Sequence, residues 1–206
     1  MTLQPAPRSV PSRRAPERDS VSREEALQSV RTLLRYMGED PDREGLIDTP
    51  KRFLKAWDDL FRGYGSDPRV ELERTFEEVS GYDEIVILRG TEFFSHCEHH
   101  VIPMRGMVDI AYLPAGRVVG LSKLSRVVEG YARRLQTQEA LTAQIGDAIE
   151  EVLRPRGVAV IVRAQHECMA MRGVKQGAAE TVTQTLRGAF RTEPIEEARL
   201  FRLLDR

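Results

Sequence analysis

The residues best suited to chemistry gather in two short segments of the chain. All 4 histidines and both cysteines lie between His96 and Cys168. The first segment reads His96-Cys97-Glu98-His99-His100, and the second reads His166-Glu167-Cys168. Thiolates and imidazoles are the ligands that zinc prefers in proteins. The clustering therefore predicts a metal site built from both segments.

The spacing within each segment indicates how its side chains could meet. Cys97 and His100 are three residues apart, and a regular strand would point them to opposite faces. A tight loop or a helical turn would bring them together, so we expect the strand to break near Cys97. His166 and Cys168 are two residues apart, the spacing of one strand face. If Cys168 reaches a metal, His166 should then point into the same cavity.

Simpler interpretations of the same residues exist. A free cysteine is often a small buried apolar residue. Cys97 and Cys168 could therefore merely pack together or form a disulfide. A purely structural zinc commonly uses four protein ligands in close Cys-x-x-Cys pairs, and the sequence has none. Two cysteines with one or two histidines leave a coordination position open, which is typical of hydrolytic zinc sites.

Several charged residues could bind an anionic substrate. Ser122 is predicted to cap a helix, with Lys123 next to it and Arg126 three residues on, and Arg172 follows Cys168 by four residues. Such groups can hold phosphate, although a solvated charged face explains each of them equally well. The sequence lacks both the Walker loop and the Pro-Cys-x-x-Cys pattern of deaminases. These residues alone favour a zinc hydrolase that acts on a phosphorylated small molecule.

Composition excludes several classes of protein. The chain has 206 residues, with 31 Lys and Arg against 32 Asp and Glu, so its net charge is −1. A nucleic-acid-binding protein would carry a basic excess. No apolar run approaches the roughly 20 residues of a membrane span, so we expect no membrane partner. Two cysteines cannot make a disulfide scaffold, which favours the cytoplasm.

The remaining patterns predict the elements that carry these residues. A capping box at Ser22 and Glu25 predicts a first helix, and Thr49-Pro50 predicts the start of a second. We expect strands at 85–88, 107–113, 118–119, 158–162 and 181–186, and helices at 122–131, at 137–153 and from Pro194. The order indicates an α+β fold, an antiparallel sheet with helices packed on one face. Residues 1–20, proline-rich and poor in apolar residues, should be a disordered arm.

Four motifs together resemble the GTP cyclohydrolase I family. They are Cys97-Glu98-His99-His100, Gly120-Leu121-Ser122-Lys123-Leu124, Gln136-Thr137-Gln138-Glu139, and His166-Glu167-Cys168-Met169 followed by Arg172-Gly173. The resemblance runs from about residue 24 to the C-terminus. It implies the tunnelling fold (T-fold) with an N-terminal helical extension, as one domain over 21–206, with N-terminal helices at 21–65 and the catalytic part at 84–206. It also implies a ring-shaped homodecamer with active sites between subunits.

The resemblance also assigns an activity and residue roles. Members of the family convert GTP and water to 7,8-dihydroneopterin triphosphate and formate, the first step of pterin and tetrahydrofolate biosynthesis. One zinc per subunit would be held by Cys97, His100 and Cys168, with His99 and His166 as acid–base groups. Glu139 would accept hydrogen bonds from two adjacent N–H donors on the guanine edge, and adenine lacks these donors. Ribose and triphosphate would contact Ser122, Lys123, Arg126, Arg172 and Arg52. The sequence departs from the family at Ala140, where an arginine is common.

Overall fold

The computed structural model describes residues 20–76 and 81–205, and their elements follow the predicted order. The helices are α1 (Arg23–Tyr36), α2 (Thr49–Leu60), α3 (Leu121–Ala132), α4 (Gln138–Leu153), α5 (Glu167–Ala170), α6 (Ala189–Thr192) and α7 (Pro194–Leu204). The strands are β1 (Thr75–Phe76), β2 (Val86–Cys97), β3 (Pro103–Leu113), β4 (Val118–Val119), β5 (Leu135–Gln136), β6 (Gly157–His166) and β7 (Thr181–Gly188). Two 3-10 helices, Arg62–Gly65 and Pro68–Leu72, precede β1. Among the described helices, none has the length and apolar character to cross a membrane.

A five-stranded sheet in the order β5-β2-β3-β6-β7 forms the centre of the fold. The pairs β2–β3, β3–β6 and β6–β7 are antiparallel, and only the two-residue β5 lies parallel to β2. Met104 pairs with His166 and Leu113 pairs with Gly157, so β3 and β6 are in register over ten residues. This register places the end of β6 beside the start of β3, where the candidate metal segments lie.

The core lies between this sheet and the helices α3 and α4. Alternate residues of β3 and β6, such as Val108, Ile110 and Val160, are fully buried in one cluster with Leu124 and Ile145 of the two helices. The strand period of two therefore presents one apolar face to α3 and α4, as predicted. The opposite-facing alternates, near one end of the sheet, join a smaller cluster with the C-terminal helices, which contains Ala111, Leu113, Ala159, Phe190 and Leu200.

The sequence signals located most element starts. The Ser22 side chain accepts a hydrogen bond from the Glu25 amide at 3.1 Å, which confirms the predicted cap. Thr137 likewise caps α4 through the Ala140 amide at 3.1 Å. The prediction that Ser122 caps α3 is wrong. Gly120 is the residue before the first turn, and Ser122 is the second residue of the helix.

The second strand is much longer than the predicted 85–88. It runs for 12 residues to Cys97, with a shift of register between Leu88 and Thr91. Gly90 lies in this irregular stretch with φ of 67°, a conformation that glycine adopts without strain. The continuous apolar run that predicted the strand ends at Leu88, where this irregular stretch begins. The predicted disordered arm, residues 1–20, lies outside the described residues except for Ser20. The division of the domain into N-terminal helices at 21–65 and a catalytic part at 84–206 stays a prediction.

Aromatic side chains connect the N-terminal helices to the strand of the metal segment. Phe53, Trp57 and Phe61 are successive ring neighbours, with centroids 4.5 and 5.2 Å apart. The Phe61 ring then lies 5.0 Å from the ring of His96. His96 is buried, and this burial lowers the pKa of its imidazole. The histidine next to Cys97 is thus fixed by packing.

Candidate metal and substrate site

The strand β2 ends at Cys97, and a tight turn follows. The Val101 amide donates to the Cys97 carbonyl at 2.9 Å, and the Cys97 amide donates to the Ile102 carbonyl at 3.0 Å. Val101 has φ of 55°, which is unusual for a β-branched residue and marks local backbone strain. The turn folds the chain back, so that His100 returns toward Cys97. The predicted break of the strand near Cys97 is confirmed.

Three side chains from this turn and from α5 converge. Cys97 Sγ lies 3.8 Å from His100 Nδ1, and the ligand atoms of Cys97, His100 and Cys168 all lie within 4.8 Å of one another. The group can hold a metal ion, because one ion can contact three atoms at this separation. Cys97 is buried, Cys168 is half-buried and His100 is exposed. Two sulfur donors and one imidazole nitrogen suit zinc and other thiophilic transition metals.

Cys168 reaches this group by a different route from the one that the sequence predicted. The strand β6 ends at His166, and Glu167 begins the short helix α5. Cys168 therefore lies on a helical turn, and the expectation that it shares one strand face with His166 is wrong. The convergence of Cys168 with Cys97 and His100 is nevertheless present. The pKa of the Cys168 thiol is raised, mainly by burial and by the neighbouring Cys97, and Arg172 opposes this shift.

His166 lies beside the metal group but bonds to a different partner. Its Nε2 lies 2.8 Å from Oε1 of Gln138, the first residue of α4. Burial lowers the pKa of His166, and the nearby carboxylate of Glu139 partly offsets that effect. His166 is not part of the Cys97, His100 and Cys168 group. A half-buried imidazole at the end of a strand is well placed to exchange protons with a bound molecule.

His99 points toward a cavity of about 400 Å³. Thr137, Ala140 and Gln144 of the α4 region line this cavity, together with Tyr64 and Arg134 among others. None of the three metal-group residues lines it. Ala140, the departure from the family pattern, thus borders the space beside His99. A longer side chain at position 140 would occupy part of this cavity.

Arg172 is the one anion-binding candidate that contacts the metal group. Its Nη1 lies 3.1 Å from His100 Nε2, the ring nitrogen that does not face Cys97. Glu139 is exposed at the start of α4, immediately after Gln138. Both residues therefore lie around the same end of the sheet as His166.

Three further candidates, Ser122, Lys123 and Arg126, lie on the first turns of α3 instead. Lys123 Nζ lies 2.7 Å and Arg126 Nη1 lies 3.4 Å from the same carboxylate oxygen of Glu71. The amide of Val119, two residues before α3, donates a hydrogen bond to the Tyr112 hydroxyl at 3.3 Å. The start of α3 therefore lies beside Tyr112 of β3. Tyr112 is eight residues along β3 from Met104, about 27 Å at roughly 3.4 Å per residue.

The single chain therefore does not bring all predicted substrate contacts together. The start of α3 lies toward the opposite end of β3 from the metal group. Arg52 is on α2, where its guanidinium lies 3.5 Å from Asp48.

Sequence reasoning also missed two residues, Glu71 and Gln138. Glu71 carries no sequence signal, whereas Gln138 is spaced with Leu141 and Ile145 on the buried face of α4, and a polar residue there requires a buried partner.

Comparison with known proteins agrees with this geometry. The antiparallel sheet with helices on one face and the Cys97, His100 and Cys168 group, which can hold a metal ion, are those of a T-fold enzyme. The model of the family described as GTP cyclohydrolase I matches residues 26–205, and the chain therefore belongs to the GTP cyclohydrolase I family.

Relatives carry the same family name. The chain is 58% identical over 183 residues to GTP cyclohydrolase 1 of Sinorhizobium fredii, covering 89% of each chain. It is 54% identical over 190 residues to GTP cyclohydrolase 1 of Allorhizobium ampelinum, covering 92% of this chain and 94% of the relative. The same name and 54% identity hold over 180 residues for the protein of Brucella suis, with 87% of this chain and 84% of the relative covered.

Proposed function

We propose that the chain hydrolyses GTP to 7,8-dihydroneopterin triphosphate and formate, using one zinc ion per subunit. The convergence of Cys97, His100 and Cys168 beside His166 carries the proposal, in a chain that belongs to this family. Zinc is the proposed ion because two thiolates and an imidazole are its preferred donors. Bound there, it would supply Lewis acidity and lower the pKa of water at its open position.

The side chains around this group would serve as acid–base catalysts and as contacts to the substrate. His166 and His99 would move protons to and from the purine ring and the ribose, as general acid–base catalysts. Glu139 would accept two hydrogen bonds from the guanine edge, since a carboxylate offers two oxygens to adjacent donors. Arg172 would neutralise phosphate charge next to the metal. Ser122, Lys123, Arg126 and Arg52 would complete the ribose and triphosphate site.

We propose that a second copy of the chain supplies the three of these residues that lie on α3, which are Ser122, Lys123 and Arg126. Within one chain, α3 starts near Tyr112, about 27 Å along β3 from Met104. GTP with its triphosphate extended is shorter than this separation along β3, which favours a site whose metal group and α3 come from different chains. Active sites between subunits solve the problem, and a closed ring such as the family homodecamer provides them by symmetry.

The proposal also places the reaction in a reducing compartment. Cys97 and Cys168 are both free, and they must remain thiols or thiolates to hold a metal. The cytoplasm meets this condition, and it is where a pterin or tetrahydrofolate pathway would use the product. A non-catalytic relative that keeps the metal for structure is the alternative. His166 bound to a buried amide beside the metal group favours the enzyme, because a structural site needs no such residue.

Incubation of the purified protein with GTP tests the proposal. Formate release and the fluorescence of the oxidised pterin should rise together, and ATP should give neither. Removal of the metal by a chelator should abolish both signals, and added zinc should restore them. A zinc-loaded protein that leaves GTP intact would instead be the non-catalytic relative.

A further inference from the structure

The amide of Gln138 is held in one orientation by groups other than His166. Gln138 is 1% exposed. Its Nε2 lies 2.9 Å from the Thr181 carbonyl oxygen and 3.1 Å from the Val162 carbonyl oxygen. Carbonyl oxygens only accept hydrogen bonds, so the amide nitrogen must face them. A flipped amide would set its own oxygen against both carbonyls and leave buried acceptors unpaired.

This orientation decides which atom faces His166. Nε2 of the Gln138 amide is hydrogen-bonded to carbonyls of β6 and β7. The other polar atom of the amide, Oε1, therefore faces His166 and lies 2.8 Å from Nε2 of its ring. An amide oxygen has no hydrogen to donate, so the histidine must donate. His166 therefore carries a hydrogen on Nε2 whether its ring is neutral or charged.

We infer that Gln138 is a positioning residue that keeps the proton of His166 on Nε2 and so makes Nδ1 the only nitrogen that can exchange a proton with a bound molecule. The residue that orients an imidazole also selects the nitrogen that reacts. The anchors are backbone carbonyls of two paired strands, Val162 on β6 and Thr181 on β7. Their position does not depend on any side-chain rotamer. The catalytic consequence rests on the proposed function, whereas the position of the proton does not.

The nitrogen resonances of the histidine rings test the proton position directly. Solid-state spectra of the zinc-loaded full-length protein labelled with ¹⁵N-histidine separate protonated from unprotonated ring nitrogens. The chain has only 4 histidines, and the missing signal of His166→Ala assigns residue 166. We expect the neutral ring of His166 to carry its hydrogen on Nε2. A hydrogen on Nδ1 in the wild-type protein would overturn the inference, even if the protein proves inactive.

Substitutions of Gln138 test its part in this selection. Gln138→Leu removes the acceptor, so the spectrum should change to a mixture of tautomers or to the Nδ1–H form. Gln138→Glu keeps an acceptor oxygen toward His166, and a proton on its second oxygen can still be donated to the Thr181 or Val162 carbonyl, so this variant should keep the Nε2–H form. An unchanged Nε2–H signal in Gln138→Leu would show that Gln138 does not select the nitrogen.

Kinetics then separate positioning from general loosening of the fold. Gln138→Leu should lower kcat for GTP about tenfold or more with little change in KM, because the proton transfer and not the binding is affected. The same substitution in a His166→Ala background should change kcat less than about twofold. Equal losses in both backgrounds would overturn the positioning role.

Thr142→Val is the matched control. Its hydroxyl donates to the backbone carbonyl of Gln138 at 2.7 Å and lies 2.6 Å from the Thr183 hydroxyl, so it shares the junction of α4 with β7 but does not touch the side-chain amide that faces His166. Loss of these contacts should leave the His166 spectrum and kcat close to those of the wild type. A spectrum altered as much as in Gln138→Leu would assign the effect to the junction and not to Gln138.

Discussion

Arg172 donates a hydrogen bond to His100, with its Nη1 3.1 Å from the histidine Nε2. Arginine has no acceptor atom, so Nε2 must be unprotonated in this contact. His100 Nδ1 faces Cys97 Sγ at 3.8 Å and is the nitrogen placed to bind a metal. A neutral histidine that binds metal through Nδ1 carries its hydrogen on Nε2. The Arg172 contact and a metal ion on Nδ1 would therefore exclude each other, and metal binding would make the guanidinium available to a phosphate.

Arg172→Ala should consequently keep the metal and weaken the substrate. We expect about one zinc per chain and a KM for GTP raised about tenfold or more, since a charge-assisted hydrogen bond contributes about 1.5–3 kcal/mol. Metal analysis and steady-state kinetics measure the two effects. Arg43→Ala is the control, because Arg43 is an exposed arginine that pairs with Glu39. Loss of zinc in Arg172→Ala would make the arginine a support of the metal group.

The metal ligands themselves should behave as one unit. Cys97→Ala, His100→Ala and Cys168→Ala should each lose most of their zinc, because the remaining two donors bind far more weakly than three. Elemental analysis after dialysis against a weak chelator gives the metal content. His99→Ala, next to the ligand His100, should retain its zinc as a control. Full occupancy in Cys168→Ala would remove Cys168 from the site.

His99 and His166 should matter for turnover and not for metal content. Replacing either by alanine should keep zinc and lower turnover by about 10²-fold or more, as the loss of a general acid–base group does. The two histidines have different surroundings, a cavity for His99 and the Gln138 amide for His166. The two variants can therefore stop at different steps, which trapping of a ring-opened formyl intermediate would reveal. Normal turnover in His166→Ala would limit that residue to packing.

The site was only partly predictable from the sequence, and the reason differs from residue to residue. Cys97 and His100 were predictable because residue type and a three-residue spacing require a turn. Cys168 was assigned to the correct group on an incorrect element, since a strand and the four-residue helix α5 both allow its convergence. The roles of Gln138 and Glu71 depend on partners 24 to 55 positions away in the sequence. Local patterns contain no information about contacts of that kind.

The elements of the fold were also only partly predictable from the sequence. The starts of α1 and α4 were predictable because the side chains of Ser22 and Thr137 accept hydrogen bonds from backbone amides within three residues. The extension of β2 beyond Leu88 was not, because its pairing with β3 continues past a bulge and depends on a strand elsewhere in the chain. Tertiary pairing thus overrides local periodicity at the strand that ends in Cys97.

Glu71 should compete with the triphosphate for Lys123 and Arg126. Lys123 lies 2.7 Å from the Glu71 carboxylate and holds the pKa of that carboxyl below its ordinary value, so Glu71 is ionised at neutral pH. Glu71→Gln removes a negative charge beside both cations. A surface ion pair contributes at most about 1 kcal/mol to stability, so the fold should persist.

We expect Glu71→Gln to lower the KM for GTP several-fold with little change in kcat, and to do so most at low ionic strength. Initial rates at two salt concentrations measure this. Glu151→Gln, which removes an exposed carboxylate paired with Arg69, is the matched control. A higher KM in Glu71→Gln would mean that the carboxylate orients the two cations for the substrate.

Complementation between two inactive variants tests whether each active site is shared. Cys168→Ala should lack the metal, and Lys123→Ala should bind the triphosphate poorly, so each should be inactive or nearly so alone. If one chain supplies the metal group and a neighbour supplies α3, mixed assemblies contain some sites with both parts intact. Random assembly of equal amounts should restore about a quarter of the wild-type activity per site.

The mixture must be unfolded and refolded together, or the two chains must be co-expressed, so that subunits exchange. Two variants that both affect the metal group, Cys168→Ala with His100→Ala, form the control. They should give no recovery, because no subunit in the mixture carries an intact metal group. Recovery in the first mixture alone would place Lys123 and Cys168 of one site on different chains. No recovery in either mixture, with mixed assembly verified by a tag on one chain, would place the whole site within a single chain, against the separation of about 27 Å along β3 between Tyr112 and Met104.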